Sequence, residues 1–184
     1  MRKSPFYFIF FSCVFILTSC QNKQEARKPI SQSKSLETKL SIDRNIELRE
    51  SEEDIFTKYR EKEKANTYIH SNTGFWFTYL KREVKDSIKP QKSDIVTYTY
   101  EIHSVNDSII YAQKDIGPLT YKVDEEDILP VLKSSLKLLK PKESIKILTP
   151  SALAYSYLGD QKGIAKNQPL IVIVSLESIT KSNP

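Results

Sequence analysis

The sequence predicts an α+β fold, a curved antiparallel sheet wrapped around one central helix, and three observations carry that prediction. Stretches with aromatic or alternating apolar character recur from Gly74 onward without any βα alternation. One segment among them, running from Ile128 to Leu139 in sequence, spaces its apolar residues as a helix does. Leu170, Val172, Val174 and Leu176 point to one side of an extended chain while Ile171 and Ile173 point to the other, as in a central strand covered on both faces.

The 184 residues suit one domain plus appendages. Arg2 and Lys3 precede an apolar run over 6–17, too short to cross a bilayer but suited to the core of an export signal. The run ends in Leu17-Thr18-Ser19-Cys20, which resembles a bacterial lipoprotein box. Residues 1–19 are therefore expected to be removed, with Cys20 the lipidation site and the new N-terminus. Cys13 leaves with the signal, so the mature chain has no second thiol for a disulfide, thiolate chemistry or a Cys-ligated metal. Cleavage removes two of the 28 cations and none of the 23 acids, leaving 26 against 23, or +3. So weak a basicity makes no case for nucleic acid.

Residues 20–50 are polar with isolated Ile30, Leu36, Leu40 and Ile42, and read as a lipidated cysteine and flexible tether. Residues 51–90 form an N-terminal extension. Ser51 ahead of Glu52, Glu53 and Asp54 resembles an N-cap with an acidic first turn, so a helix is expected over about 52–64. Gly74-Phe75-Trp76-Phe77-Thr78-Tyr79-Leu80 reads as an aromatic strand.

From residue 91 to 184 the remaining elements make one domain. Val96, Tyr98, Tyr100 and Ile102 alternate on one face of a strand over 94–103, Asn106-Asp107-Ser108 supplies turn chemistry, and 109–113 returns as its hairpin partner. Residues 119–123 form a short strand. Ile128, Leu129, Leu132, Leu136 and Leu139 then recur at helical spacing, with Pro130 in the first turn and Pro141 as the stop. The stripe is under two heptads long and so packs on a sheet rather than on a partner helix. Residues 144–149 add a strand before the loop and strand of 150–179.

Chemistry-bearing motifs are sparse. There are two histidines, His70 and His103, and four glycines, with no Cys-x-x-Cys, His-x-x-x-His or phosphate-cradling loop. No metal or other cofactor is implied. The loop 150–169 is the exception: Tyr155, Tyr157 and Gly159-Asp160 stand beside the most apolar strand, as at a pocket rim.

Taken in order, Val96-Thr97-Tyr98, Val123-Asp124 leading into Ile128-Leu129, Pro150 followed by Leu153-Ala154-Tyr155, Gly163-Ile164, Asn167, Pro169-Leu170 and Val174-Ser175-Leu176 resemble the FK506-binding-protein (FKBP) family of peptidyl-prolyl isomerases over 94–179. With the lipobox, the aromatic strand, Ile110-Tyr111 and Gly159-Asp160, the chain is most similar to the gliding motility-associated FKBP-type lipoproteins of the Bacteroidota. The resemblance implies an FKBP-like sheet around one helix. It places Tyr155, Ile128 and Tyr98 at the catalytic centre, with the Tyr155 hydroxyl and the Ile128 N–H as donors to substrate carbonyls. It adds Leu129, Leu132, Ile164, Val172, Leu119 and Ile110 as substrate-binding residues. Tyr98, Ile128 and Ile164 are equally readable as sheet and core positions.

Such a site is enough for prolyl isomerisation. The barrier of about 18–20 kcal/mol comes from lost amide resonance, and lowering it needs neither proton transfer nor a nucleophile. This chain departs from the family at several points: Ile110-Tyr111 replaces a Phe-Asp pair, Leu132 a floor Trp, and Leu119 and Val172 other aromatics. Val131, Lys142 and Ser156 stand where the family has glycine. A left-handed backbone kept at Ser156 or Lys142 would cost on the order of 1 kcal/mol. Two functions are consistent with these residues: a lipoprotein isomerase assisting the folding of exported or gliding-motility proteins, or a non-catalytic FKBP-like chaperone or assembly module of a motility or secretion complex. Both imply proline-containing polypeptides as partners and a membrane anchor through Cys20, in the outer membrane facing the periplasm.

Overall fold

In the computed structural model, which describes residues 31–84 and 88–182, the first described element is helix α1 (Ser31–Lys62). Strands β1 (Ile69–His70), β2 (Trp76–Lys81), β3 (Ile95–Ser104) and β4 (Ile109–Tyr111) follow, then the short helix α2 (Gln113–Ile116) and β5 (Leu119–Lys122). Helix α3 (Pro130–Leu136), β6 (Ser144–Thr149), a 3-10 turn at Ser151–Leu153 and β7 (Leu170–Thr180) complete the described chain. The expected signal and Cys20 lie outside the described residues. Residues 41–184 form one unit that contains every one of these strands; the unit before it is described only over 31–40 of α1.

The seven strands make one open antiparallel sheet in the order β1-β2-β6-β7-β3-β4, with β5 pairing the first half of β3. Strand β7 is central, and both its faces are covered for the reason its sequence suggests. Val172, Val174 and Leu176 join Val96, Tyr98, Ile145 and Ile147 in the main core, against Val131, Leu132, Leu136 and Leu139 from α3 and the turn after it. Ile171 points the other way and packs with Leu148 under Phe56 and Tyr59 of α1. Leu170 belongs to a third cluster with Ile102, Ala154 and Ile164.

The α+β class and the sheet around one central helix hold, while several element bounds differ. Helix α1 starts twenty-one residues before the expected Glu52 and runs through the stretch expected to be a flexible tether. That stretch carries no apolar stripe: Leu36, Leu40 and Ile42 are exposed, so local helix propensity, not a buried face, is what it offers to sequence inspection. Phe56 and Tyr59, in the C-terminal part of α1, are the residues it buries with Leu148 and Ile171 of the sheet in that cluster. Helix α3 is shorter than the leucine spacing suggests, because Leu129 takes an extended conformation as its N-cap and Pro130 opens the helix. Ile128 and Leu129 therefore sit on the approach to α3, not inside it. Asp124 occupies a left-handed turn (φ 62°) and pairs with Lys137 at 2.6 Å.

Candidate functional site

Tyr98 and Tyr100 project from the same face of β3, their rings stacked at 6.2 Å. Tyr98 faces Leu119 across the β3–β5 pairing, and a bulge in the β3–β7 pairing falls between Thr97 and Tyr98. Leu132 and Val172 lie beneath as fully covered floor, with Ile128, Leu129 and Leu119 half-buried at the edge of the same cluster. The third cluster gathers Ile164 with half-buried Tyr155, Ile110 and Tyr111. Tyr100 packs against both groups and joins them.

The nine sequence-expected residues thus divide in two: Tyr98, Leu119, Ile128, Leu129, Leu132 and Val172 on one side, Tyr155, Ile164 and Ile110 on the other. Three cavities of about 530, 590 and 510 Å³ lie elsewhere, and none is lined by Tyr98, Tyr155 or Ile164. Leu132 and Val172 are both only 2% exposed, so the smaller side chains are packed over instead of leaving a deep pit.

The hydroxyls of Tyr98, Tyr100 and Tyr155 make no hydrogen bond among the described residues. Burial pushes the Tyr155 hydroxyl up to about 12, helped by the negative field of Tyr100, Asp160 and Tyr111. Tyr98 is likewise raised to about 12, chiefly by burial. Both remain protonated donors at neutral pH. The N–H groups of Ile128 and Leu129 are also unengaged among the described residues, and they flank the same apolar surface. What the arrangement offers chemically is an apolar platform with a few O–H and N–H donors.

The loop carrying Tyr155 and Ile164 is built around Asp160. Its Oδ1 accepts the N–H groups of Lys162 (2.9 Å) and Ile164 (2.8 Å), and its Oδ2 accepts the Tyr111 hydroxyl. The Gly163 N–H donates to the Tyr111 oxygen at 3.3 Å. Burial works to raise the Asp160 pKa, but these donors outweigh it and hold it below the usual carboxylate range. Gly159 is needed here: at φ 64° a Cβ would lie 2.4 Å from the Ile164 carbonyl oxygen. Ser156 (φ 54°) and Lys142 (φ 69°) keep the left-handed conformation without being glycine. Val131 lies in the ordinary helical turn of α3.

Sequence reasoning singled out Ile110-Tyr111 and Gly159-Asp160 separately but not their contact. Nor did it assign Tyr100, whose only signal is its place in the β3 alternation. Among the described residues no helix is long and apolar enough to cross a membrane, and no group of three His, Cys, Asp or Glu residues could hold a metal ion.

Comparison with known proteins agrees with this architecture. The chain is similar in structure to FkpA from Escherichia coli, at TM-score 0.55 and 20% identity, over 100% of this chain and 85% of that one. It is also similar to a peptidyl-prolyl cis-trans isomerase from Pseudomonas syringae pv. tomato str. DC3000, at TM-score 0.59 and 17% identity, over 73% of this chain and 94% of that one. At these identities the likeness shows the fold. No curated protein matches the chain in sequence. The sequence profile of the FKBP-type peptidyl-prolyl cis-trans isomerases, however, matches residues 86–177, half of the chain. Because that match runs from ahead of β3 to inside β7, across every element that carries Tyr98 to Val172, the chain belongs to the FKBP-type peptidyl-prolyl cis-trans isomerase family.

Proposed function

We propose that the protein is a membrane-tethered peptidyl-prolyl isomerase, lipidated on Cys20, that assists the folding of exported or gliding-motility proteins at the periplasmic face of the outer membrane. The observation that carries the catalytic part is the Tyr155 hydroxyl, protonated and without a hydrogen-bond partner among the described residues, beside Ile164 and across Tyr100 from the Tyr98–Leu132–Val172 platform. A proline ring seats on the platform. Tyr155 O–H and the Ile128 N–H hold the carbonyls that flank the rotating bond. The twisted amide separates less charge than the planar one, so a water-poor apolar surface favours it, and the donors keep it oriented while it turns.

The lipid and the compartment rest on the order of Arg2-Lys3, the apolar run and Leu17-Thr18-Ser19-Cys20; the motility link rests on the subfamily resemblance. The test is the prolyl-limited refolding of a proline-containing protein, followed with and without the chain and with Tyr155→Ala. Acceleration by the native chain and its loss in the variant are expected. A rate equal to buffer alone would reject catalysis.

A second reading, a non-catalytic binding module, is favoured by the packed-over Leu132 and Val172 and by Tyr111 in place of the family's Asp. Peptide binding without isomer exchange, measured by NMR exchange spectroscopy on a proline peptide, would select it.

A further inference from the structure

A cavity of about 530 Å³ opens between α1, the turn from β1 to β2 and the 3-10 turn after β6, away from the Tyr155 site. Its size suits a side chain or small ligand. Phe56, Pro150 and Leu153 supply apolar wall; Glu50, Glu52, Glu53 and Arg49 supply charge.

Glu52 is the unusual member. It is 2% exposed, and its Oε1 accepts the Ser151 N–H at 3.1 Å. Its Oε2 is buried with no hydrogen-bond partner among the described residues. A buried carboxylate oxygen without a donor is costly. Burial raises the Glu52 pKa, against the lowering pull of the Ser151 hydroxyl and N–H.

The missing partner is a donor, and the surrounding charge indicates a cationic one. Three carboxylates face one guanidinium, and Glu53 is already held by Trp76 Nε1 (3.0 Å) and Arg60 (3.1 Å). The apolar walls suit an aliphatic stem behind the charge. We propose that this cavity binds a basic side chain of a polypeptide, its stem against Phe56 and Leu153 and its cation on the Glu52 carboxylate. Because Oε2 is shut off from solvent, the ligand is met by a turn of the terminal carboxylate torsion, which is soft. The 3-10 turn that walls the cavity continues directly into Ala154 and Tyr155, so a polypeptide held here lies along the chain segment that leads to the candidate prolyl site. The cation site itself stands whether or not Tyr155 catalyses.

The experiment is an NMR titration of the full mature chain with Nα-acetyl-lysine methylamide and, in parallel, its neutral isostere Nα-acetyl-norleucine methylamide. Shifts at the backbone N–H groups of Ser151, Ala152 and Gly74 are expected, with the lysine probe favoured by about tenfold or more. Glu52→Gln should abolish that preference while the thermal midpoint stays equal or rises. Equal binding of the two probes, no shifts at tens of millimolar (on the order of the weakest useful affinity), or a preference retained in Glu52→Gln would overturn the proposal. Should Glu52→Gln fail to fold, Ala152→Leu, on an exposed wall residue, decides: lost preference supports the site, and retained preference overturns it.

Discussion

The Tyr111 hydroxyl donates to Oδ2 of Asp160, 49 residues further along the chain, and so ties hairpin strand β4 to the loop that carries Tyr155 and Ile164. The same carboxylate accepts the Ile164 N–H. One acidic group thereby sets both the distance between hairpin and loop and the backbone of a candidate pocket residue. Where the resemblance leads one to expect an Asp on the hairpin, this chain has the donor there and the acid in the loop.

Tyr111→Phe should therefore lower isomerase kcat/KM by about three- to tenfold, short of the hundredfold that a 1 Å misplacement of a reacting group causes. Asp160→Ala should cost more, since it also frees the Lys162 and Ile164 N–H groups. Refolding-coupled kinetics measure both. Equal activity in Asp160→Ala and the native chain would show that the loop geometry does not depend on the clamp.

Tyr155→Phe isolates the hydroxyl from the ring. Losing one neutral hydrogen bond to a substrate carbonyl, worth about 0.5–1.5 kcal/mol, predicts a two- to roughly tenfold fall in kcat/KM with the fold intact. Burial holds the Tyr155 pKa up at about 12, so the donor stays protonated and activity should be flat from about pH 6 to 9. The raised phenol pKa also means that the folded state loses stability only as pH rises beyond the ordinary tyrosine range. A rate profile that titrates near neutrality would assign the chemistry to another group.

How much of this was legible varies with the kind of signal. Strand β7 announced itself because Ile171 and Val172 are both apolar and both faces are in fact covered, by α1 and by the α3 side. The face of β3 was readable from its alternation, and Tyr98 and Ile102 are buried on it. Helix α1 before residue 50 was not readable, since exposed Leu36 and Leu40 carry no periodic stripe. Glu52 looked like an ordinary first-turn acid; only the helix's true start and its packing on Ser151 reveal a buried carboxylate. The Tyr111–Asp160 contact has no local pattern at all, because nothing in either dipeptide encodes a partner in a distant loop. The placement of Tyr155 with Ile164 followed motif order, not periodicity.

Ser156 and Lys142 hold φ at 54° and 69°, a region that favours glycine. Their places are fixed by backbone bonds: Ser156 N–H to the Ser151 carbonyl at 2.8 Å, and Lys142 N–H to the Leu176 carbonyl at 2.6 Å. Ser156→Gly and Lys142→Gly should each stabilise the fold by about 0.5–1 kcal/mol, the relief of strain outweighing the added freedom of the unfolded chain. Urea unfolding checks this, and a loss of stability in both would mean that the side chains contribute more than the strain removes.

Glu63 predicts an acid limit to stability. Its Oε1 accepts Lys146 Nζ at 2.7 Å and its Oε2 accepts the Tyr68 hydroxyl at 2.6 Å and Asn66 Nδ2 at 3.0 Å, so the end of α1 is fastened to β6. Burial works to raise its pKa, but Lys146, Tyr68 and Asn66 prevail and hold it down to about 2, against an ordinary 4.5. A carboxyl depressed in the folded state adds stability that is fully present above its unfolded pKa and is lost as pH falls through the folded one. The window is therefore about pH 5 down to 2. Partial exposure reduces the full shift to ~2 kcal/mol. Urea midpoints taken across that window should fall steeply for the native chain and less so for Glu63→Gln, which should start lower at pH 7 because Lys146 has lost its anion. Parallel pH profiles for the two proteins would show that other carboxylates set the acid limit.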